Sequence, residues 1–392
     1  MQAEAPRLPQ PDAAQIAHSE RCAAAIRQHI EGSDGSISFG EFMHHALYAP
    51  GLGYYASGPL PFGARGDFVT APEVSPLFGY VVARQCAAAL AELGGGSVLE
   101  YGAGSGALAC DVLQKLEVLD RLPRRYRILE PSAALVARQR ERIEQQVPAL
   151  ADLVEWVERR PADHRGVIIA NEVLDALPVE RFVRRDAVMQ LHVGCRDGRF
   201  EWRERHASEI VREAVDTLER QLGERLPEGY ESEISLALPG WVRDLVDGLE
   251  EGLVLLFDYG VSQREYYHHD RSGGWLRCHF RHHAHSDPLI LAGIQDITAW
   301  VNFTAVASAA VEAGARIAGY TQQSAFLLHG GIEAEISAMK NLSAGAQAEL
   351  SAAVKMLTLP GSMGEHFKCM ALTRGALTAP VALQFADRTH VL

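Results

Sequence analysis

Apolar residues recur along the chain with two spacings, one helical and one strand-like, and these spacings predict most of the secondary structure. Residues 13–31 keep helical spacing up to Gly32, and Ser38 precedes a second predicted helix at 39–47, where Glu41 completes a capping box. Further helices are predicted at 76–93, 107–116, 133–146, 208–222 and 298–313, with two more before the last strand. Short apolar runs predict strands at 97–101, 126–130, 167–170, 253–257, 315–320 and 367–373.

The order of these elements predicts an α/β fold. Strands that alternate with helices form a parallel sheet with right-handed crossovers, and a late, hairpin-like strand pair is typical of methyltransferases rather than dehydrogenases. Residues 181–206 instead alternate like a hairpin with its turn at Asp197 and Gly198. We therefore divide the chain into three parts. Residues 1–80 form an N-terminal helical extension with a lid loop, and residues 81–178 together with 253–392 form the core. Residues 179–252 form an inserted subdomain.

A glycine-rich loop between the first core strand and the following helix is the strongest local chemical signal. It reads Gly102-Ala103-Gly104-Ser105-Gly106. Glycines let the backbone approach a ligand, and the next helix offers N–H groups and the positive end of its dipole. With Ala107 the loop also fits the loose dinucleotide pattern G-x-G-x-x-A, so the loop alone indicates a nucleotide-type cofactor or only a structural turn.

Polar residues at two strand ends help to decide between a cofactor site and a structural turn. Glu130, followed by Pro131, ends the second core strand, where a carboxylate accepts hydrogen bonds from both hydroxyls of a ribose; the alternative is a solvent-facing loop residue. Asn171, a donor and an acceptor, ends the fourth core strand. If a helix begins there, Glu172 and Asp175 share one of its faces, either as functional carboxylates or as a cap and a charge in the first helical turn.

Composition and charge exclude several classes of function. No apolar run approaches the roughly 20 residues that span a bilayer, so we expect no membrane insertion. The first 12 residues lack the pattern of a signal peptide, which predicts a cytoplasmic protein. A formal net charge of −13 argues against a nucleic-acid partner. The six cysteines are scattered without a C-x-x-C pair, which predicts reduced thiols rather than disulfides or a zinc site.

Several longer motifs resemble the MidA-like family of class I methyltransferases. They are ISFGEFMHHALYAPGLGYY, GDFVTAPEVSPLFG, EYGAGSGALACDVL, NEVLDALPVERF, LLFDYG and MGEHFKCMAL, in family order and spread over nearly the whole chain. The resemblance implies a Rossmann-like core with a mostly parallel seven-stranded sheet and a late antiparallel strand. It also implies an N-terminal helical extension and an inserted α+β subdomain.

The same resemblance implies S-adenosyl-L-methionine as the cofactor. Mitochondrial members of the family are assembly factors for respiratory complex I that methylate a protein arginine. The expected partner is therefore a protein substrate, with a respiratory-complex subunit as one candidate. A homodimer is also expected. Carried over by motif, the cofactor-binding residues are Gly66, Asp67, Thr70, Glu73, Gly102, Ala103, Gly104, Ser105, Gly106, Glu130, Pro131 and Asn171. The resemblance further implies that Gly66, Asp67, Phe68, Thr70 and Glu73 form a lid-like segment between cofactor and substrate. The alternative for this segment is a helix N-terminus, with Thr70 capping and Pro72 early in the helix.

Arginine methylation needs groups that activate a poor nucleophile, because the guanidinium charge is delocalised and its pKa exceeds about 12. Carboxylates pair with a guanidinium and localise its charge away from the attacking nitrogen. We therefore predict Glu172 and Asp175 as catalytic residues. Further candidates are Asp67, Glu73 and Asp258, while Tyr54, Tyr55 and Phe68 either wall the substrate channel or serve packing.

Some features depart from the family or leave alternatives open. Trp300 and Asn302 stand where family members have His and Asp, which places substrate identity in question.

The histidines 268, 269, 279, 282, 283 and 285 match no zinc spacing, so we expect a solvated loop and no metal; Arg277 and Arg281 nearby are candidates for binding an acid. The remaining alternatives are methylation of another nucleophile, a catalytically silent scaffold, and an NAD(P)-dependent oxidoreductase, for which no Tyr-x-x-x-Lys is apparent.

Overall fold

The structure is a computed structural model that describes residues 8–57, 70–339 and 342–392. The chain divides into two compact units, each assembled from separate stretches. The described parts of Met1–Phe68, Asp175–Leu238 and Ser262–Trp300 form the first unit, and those of Val69–Leu174, Pro239–Val261 and Val301–Leu392 form the second. Strands and helices are numbered below in chain order.

The second unit is built around a mixed sheet whose main path has seven strands. In spatial order they are Val154–Val157 (β4), Tyr126–Leu129 (β3), Ser97–Tyr101 (β2), His164–Asn171 (β5), Leu249–Val261 (β10), Phe367–Arg374 (β16) and Arg316–Gln322 (β15). The strands from β4 to β10 pair in parallel, whereas β16 is antiparallel to both neighbours. The predicted mostly parallel sheet with a late antiparallel strand is confirmed. A short strand, Val301–Asn302 (β14), also pairs with β10.

The second unit also contains many of the described helices. They are Ala71–Val74 (α3), Pro76–Glu92 (α4), Ala107–Val118 (α5), Ala133–Gln146 (α6), Phe303–Glu312 (α10), Gln323–Gly330 (α11), Ile332–Ala338 (α12), Ala344–Thr358 (α13), Met363–His366 (α14) and Val381–Gln384 (α15). Side chains such as Val81 and Leu113 share one buried cluster with Val98 and Ile169 of the strands. This packing holds the carboxyl ends of β2, β3 and β5 along one edge of the parallel part, where open α/β sheets bind ligands.

The first unit combines helices with two antiparallel sheets. Its described helices are Ala13–Gly32 (α1), Phe39–Tyr48 (α2), Glu209–Leu222 (α7) and Gln263–Tyr266 (α9), and the predicted capping box of Ser38 and Glu41 is present. One sheet contains Ser36–Ser38 (β1), Glu180–Arg184 (β6), Val188–Arg196 (β7), Arg199–His206 (β8) and Glu231–Ile234 (β9). The other contains Leu276–Phe280 (β11), His283–His285 (β12) and Asp296–Ala299 (β13).

Three further elements complete the described secondary structure. Helix Leu238–Asp247 (α8) begins at the division between the units, and 3₁₀ turns lie at Pro148–Leu153, His269–Arg271 and Thr389–Val391. Within the described residues, no helix has both the length and the apolarity that crossing a bilayer requires. All six cysteines are free, and five of them are buried while Cys195 is partly exposed.

Several predicted elements differ from the structure. The hairpin turn at Asp197 and Gly198 is confirmed, with φ values of 50° and 77°, but residues 180–206 hold three strands rather than two. The helix expected at 298–313 begins only at Phe303, because the preceding residues form β13 and β14. Within the residues that the structure describes, four helices rather than two lie between β15 and β16. The domain boundaries also differ, since 262–300, predicted as core, lies in the first unit.

Candidate functional site

The predicted glycine loop joins the end of β2 to the start of α5. Gly102, Gly104 and Gly106 have φ values of 61°, 53° and 82°, in the left-handed region. Side chains are strained there, and a Cβ on Gly102 would lie 3.3 Å from Val173 Cγ2. The loop therefore requires glycine, and it leads into a helix whose first N–H groups have no intrahelical partner.

The predicted lid segment is described only in part. Gly66, Asp67 and Phe68 lie outside the described residues. Thr70 is the N-cap residue of α3 with Pro72 in the first turn, although the Thr70 side chain makes no capping hydrogen bond. The segment thus has the helix N-terminus that the sequence left open as an alternative.

Glu73 of this short helix is bound to the glycine loop. Its carboxylate accepts hydrogen bonds from Ser105 Oγ and from Arg142 Nη1, the latter at 2.7 Å, and Arg142 also lies 2.6 Å from Ser105 Oγ. Burial alone would raise the pKa of the Glu73 carboxyl, but these partners outweigh it and lower the pKa. Glu73 is therefore an ionised support for the loop, and its ion pair makes it a poor alternative to Glu172 for binding a guanidinium.

Glu130 lies at the end of β3 and is 9% exposed, so it is not a solvent-facing loop residue. Its Oε1 accepts a hydrogen bond from the Ser132 N–H at 3.0 Å, and its Oε2 accepts one from Gln139 Nε2 at 3.2 Å. Burial raises the pKa of the carboxyl, while both hydrogen bonds oppose that rise. Each oxygen has capacity for a second donor, as the two hydroxyls of a ribose require. Pro131, which follows, is exposed.

Asn171 is the last residue of β5, and only the nitrogen of its side-chain amide has a hydrogen-bond partner among the described residues. Its Nδ2 donates a hydrogen bond to Glu172 Oε1 at 3.1 Å. Its Oδ1 is buried and has no hydrogen-bond partner among the described residues. Because a buried amide oxygen without a donor is destabilising, a ligand that brings an N–H or O–H to this atom would bind favourably.

The residues after Asn171 form no helix, so the predicted shared helical face of Glu172 and Asp175 is wrong. Glu172 has φ 54°, an uncommon value for a side-chain residue, and its N–H donates a hydrogen bond to the Phe257 carbonyl at 2.9 Å. The strand therefore turns sharply at Glu172, which is partly exposed. Asp175 is 4% exposed and belongs to the first unit.

Asp258, another described candidate carboxylate, supports the turn after β5. It is 1% exposed, and its Oδ2 accepts a hydrogen bond from the Leu174 N–H at 2.9 Å. Its Oδ1 accepts one from the Tyr259 N–H, also at 2.9 Å. Both oxygens thus bind backbone groups of the second unit, which indicates a structural role.

Sequence reasoning missed two acidic groups behind the glycine loop. Glu100 is 2% exposed and accepts a hydrogen bond from the Tyr126 hydroxyl at 2.6 Å. Burial, together with the nearby carboxylates, raises the pKa of Glu100 to about 7. Burial likewise raises the pKa of Asp111 on α5 to about 7. For Glu100, the available signal was a carboxylate inside a short, mostly apolar strand.

Gln139 of α6 was also missed. It is fully buried and lies four residues from both Leu135 and Ile143, which are buried on the same helix face. A glutamine on the apolar face of a helix was the available signal, because a buried amide needs hydrogen-bond partners. Those partners include Glu130 and the carbonyl of Gly104.

The remaining aromatic and basic candidates lie in the first unit. Tyr54 is 3% exposed, as the packing alternative predicts, and the Tyr55 hydroxyl donates a hydrogen bond to Asp296 Oδ1 at 2.9 Å. Arg277 donates a hydrogen bond to the Leu276 carbonyl. Arg281 lies 3.2 Å from the Asp12 carboxylate, so its charge is already paired at the start of α1.

The two departures from the family pattern have structural partners. The Trp300 ring stacks on Trp275, with centroids 4.3 Å apart. Asn302 is the N-cap residue of α10, and its side chain accepts a hydrogen bond from the Ala305 N–H at 3.2 Å. These contacts give both residues a role in stability.

The histidine-rich segment is not one solvated loop. His279, His283 and His285 lie on β11 and β12, and only part of the set is exposed. Donor atoms of His268, His269 and Asp270 lie within 4.8 Å of one another, and all three residues are exposed.

The groups of the second unit fit a cofactor that has a ribose and a polar chain. The glycine loop provides close backbone approach, Glu130 provides two acceptors, and Asn171 provides an unsatisfied buried oxygen. These are the features that a nucleoside with an amino-acid chain requires.

Comparison with known proteins agrees with this geometry. Residues 81–321 match the family described as "Putative S-adenosyl-L-methionine-dependent methyltransferase". The "Protein arginine methyltransferase NDUFAF7 homolog, mitochondrial" of Drosophila melanogaster is 30% identical over 88% of this chain and 84% of its own length. The human "Protein arginine methyltransferase NDUFAF7, mitochondrial" is 26% identical over 87% of this chain and 80% of its own length.

A solved structure is also similar over almost the full chain. It is a crystal structure of a Burkholderia thailandensis protein bound to S-adenosyl-homocysteine. The two chains are 39% identical, with a TM-score of 0.94 over 98% of this chain and 100% of the other.

Proposed function

The chain belongs to the family of S-adenosyl-L-methionine-dependent methyltransferases, and we propose that its methyl acceptor is an arginine of a protein substrate. The observation that carries this proposal is the similarity, over more than four-fifths of the chain, to relatives named protein arginine methyltransferases. The oxidoreductase alternative does not agree with the family. A methyltransferase acting on another nucleophile and a silent scaffold become outcomes of the test below.

We propose that the cofactor lies at the carboxyl edge of the sheet in the second unit. Gly102, Gly104 and Gly106 would contact its polar chain and ribose, with Ala103 and Ser105 in the same loop. Glu130 would accept both ribose hydroxyls, and Asn171 Oδ1 would accept a donor from the ligand. When bound, S-adenosylmethionine supplies an activated methyl group, so the protein residues chiefly position the acceptor.

Glu172 is the carboxylate that we propose for the acceptor guanidinium. It is partly exposed at the sharp turn after β5, and Asn171 fixes one of its oxygens at 3.1 Å. A carboxylate paired with the guanidinium would draw its positive charge away from the attacking nitrogen and orient that nitrogen. Asp175 is proposed for the same role, but at 4% exposure it must become accessible to act.

The test is transfer of a labelled methyl group. The protein is incubated with labelled S-adenosylmethionine and a cell lysate, and mass spectrometry identifies the modified residue. We expect methylarginine in a protein. Methyllysine, or a labelled small molecule, would contradict the arginine assignment, and cofactor binding without any transfer would favour the scaffold.

A separate substitution tests the proposed role of Glu172. Glu172→Gln keeps the shape of the side chain but removes its charge, so we expect turnover to fall by about tenfold or more, as for loss of one charge-assisted hydrogen bond, with little change in S-adenosylhomocysteine affinity. Glu117→Gln, at an exposed site on α5, is the matched control. Unchanged turnover in Glu172→Gln would remove this residue from the mechanism.

The remaining expectations about partners and location are proposals. We propose a respiratory-complex subunit as the substrate protein, because the animal relatives carry a mitochondrial designation in their names. Identification of the methylated lysate protein tests this proposal. The expected homodimer is tested by sedimentation, and the expected cytoplasmic location is tested by fractionation of cells that express the protein.

A further inference from the structure

The amide of Gln139 links three parts of the second unit. Gln139 is fully buried on α6. Its Nε2 donates hydrogen bonds to the Gly104 carbonyl at 3.0 Å and to Glu130 Oε2 at 3.2 Å, and its Oε1 accepts one from Trp156 Nε1 at 2.9 Å. One side chain therefore connects the glycine loop, the end of β3 and the end of β4.

The orientation of this amide is determined by its partners. An indole N–H is only a donor, so the oxygen of Gln139 must face Trp156. The nitrogen must then face Gly104 and Glu130, which both present acceptors. Because each partner admits only one assignment, a flipped amide would place donor against donor and acceptor against acceptor.

The backbone of the helix reinforces the same contact. A Cβ on Gly106 would lie 3.3 Å from the Cα of Gln139, so α6 lies directly against the glycine loop at this residue. Movement of α6 would therefore move both Gln139 and the loop. The end of β3 is coupled to the loop through the side chain and through packing.

Gln139 also affects the charge of Glu130. Burial favours the protonated carboxyl, whereas hydrogen bonds from Ser132 and Gln139 favour the carboxylate. A protonated carboxyl has one fewer acceptor site than a carboxylate and cannot accept two hydroxyl donors as well. Loss of the Gln139 amide would therefore weaken the acceptor that two ribose hydroxyls need.

We propose that Gln139 is a positioning residue that holds the Glu130 side chain in register with the glycine loop, and so sets selectivity for the ribose hydroxyls of the cofactor. This inference rests on the proposed cofactor site. It adds a residue that does not itself touch the ligand, and it predicts a change in selectivity rather than a general loss of binding.

The test compares two probes by calorimetry, S-adenosylhomocysteine and its 2′-deoxy analogue. We expect the unaltered protein to prefer the hydroxylated probe by about tenfold to a hundredfold, as for loss of one charge-assisted hydrogen bond. In Gln139→Leu this preference falls to within about threefold. The affinity of that variant for S-adenosylhomocysteine should also decrease from pH 8 to pH 5.5 more steeply, because Glu130 is protonated at higher pH.

Gln145→Leu is the matched control, since Gln145 is exposed on the same helix and should keep the preference. Trp156→Phe provides a second variant that keeps Gln139 but removes the donor that orients it, and should reduce the preference in part. If Gln139→Leu folds and keeps the preference for the hydroxylated probe, the inference is overturned. If Gln139→Leu does not fold, an unchanged preference in Trp156→Phe overturns the inference instead. An unaltered protein that binds neither probe, or binds both equally, overturns the proposed cofactor site instead.

Discussion

Arg142 of α6 and Glu73 of α3 form an ion pair that holds the glycine loop between them. The Arg142 Nη1 lies 2.7 Å from Glu73 Oε1, and Ser105 of the loop hydrogen-bonds to both side chains. The two charged side chains are 28% and 16% exposed. Partial burial makes the pair stronger than a surface ion pair, so the loop depends on residues from two other elements.

We predict that Glu73→Gln lowers the free energy of unfolding by about 1–2 kcal/mol at pH 7. The pKa of Glu73 is lowered in the folded state, so its stabilisation is present above the ordinary value of 4.5 and is lost as pH falls through the folded pKa. Urea unfolding at pH 7 and at pH 3 measures both effects, and the difference between variant and unaltered protein should shrink at pH 3. Glu117→Gln is the control, and an equal loss there would contradict the prediction.

Gly102→Ala tests whether the loop conformation serves the ligand. Its φ of 61° is strained for alanine, at a cost of about 1–2 kcal/mol, and the new Cβ approaches Val173. Gly94→Ala is the matched control, because Gly94 has φ 69° and no other atom lies within 4 Å of the position that its Cβ would occupy. We expect both substitutions to lower stability because of the left-handed φ, with a somewhat larger loss in Gly102→Ala because of Val173, and urea unfolding measures both. Only Gly102→Ala should lose affinity for S-adenosylhomocysteine, by about tenfold or more, which calorimetry measures.

Glu100 and Asp111 should make the protein less stable as pH rises towards neutrality. The pKa values are raised to about 7 from ordinary values of 4.5 and 3.8, so both groups bind a proton more tightly in the folded state. Their stabilising effect is present below the ordinary values and is lost as pH rises through about 7. For Glu100 the effect is roughly 3 kcal/mol.

Urea unfolding between pH 4.5 and pH 8 measures this dependence. Glu100→Gln and Asp111→Asn should each flatten the decline, because neither amide ionises. The comparison concerns the slope, since a buried amide also changes the absolute stability. A slope that stays the same in both variants would show that these groups titrate normally.

Much of the sheet was predictable because its signals are local. The run at Ser97–Tyr101 has Val98, Leu99 and Tyr101 as apolar residues, and the glycines that follow mark its end. Helix Ala133–Gln146 begins after Ser132, whose side chain accepts a hydrogen bond from the Leu135 N–H. Strand length and helix caps depend on neighbouring residues, so the sequence alone predicted both elements with their observed bounds.

Residues 296–302 show where local signals fail. The sequence predicted a helix from residue 298, but Asp296–Ala299 pairs with β11, for instance Ile297 with Cys278. That pairing depends on residues about twenty positions away, which local periodicity does not report. The same holds for Trp275 and Trp300, whose rings stack on each other although they lie far apart in the sequence.

The sequence indicated the residues of the proposed cofactor site but not the residues that support them. Glycines and strand-end carboxylates have recognisable positions in the sequence. Arg142 and Gln139 reach the loop from a helix more than thirty residues later, and only packing brings them together. The three-residue spacing of Glu172 and Asp175 would place them on one face only if a helix began there, whereas the hydrogen bonds to Phe257 and Asp258 hold this segment in a turn.

Arg181→Met should lower the free energy of unfolding of the first unit by about 3 kcal/mol, because it leaves the carboxylate of Glu233 buried without its cation. Glu233 is 0% exposed, lies 3.7 Å from Arg181 Nε and accepts a hydrogen bond from the Trp275 N–H. Burial already raises the pKa of Glu233, so protonation limits the loss. Arg185→Met, which breaks an ion pair whose side chains are 46% and 36% exposed, should cost less than about 1 kcal/mol. Equal losses in urea unfolding would mean that burial of the Arg181 pair contributes nothing.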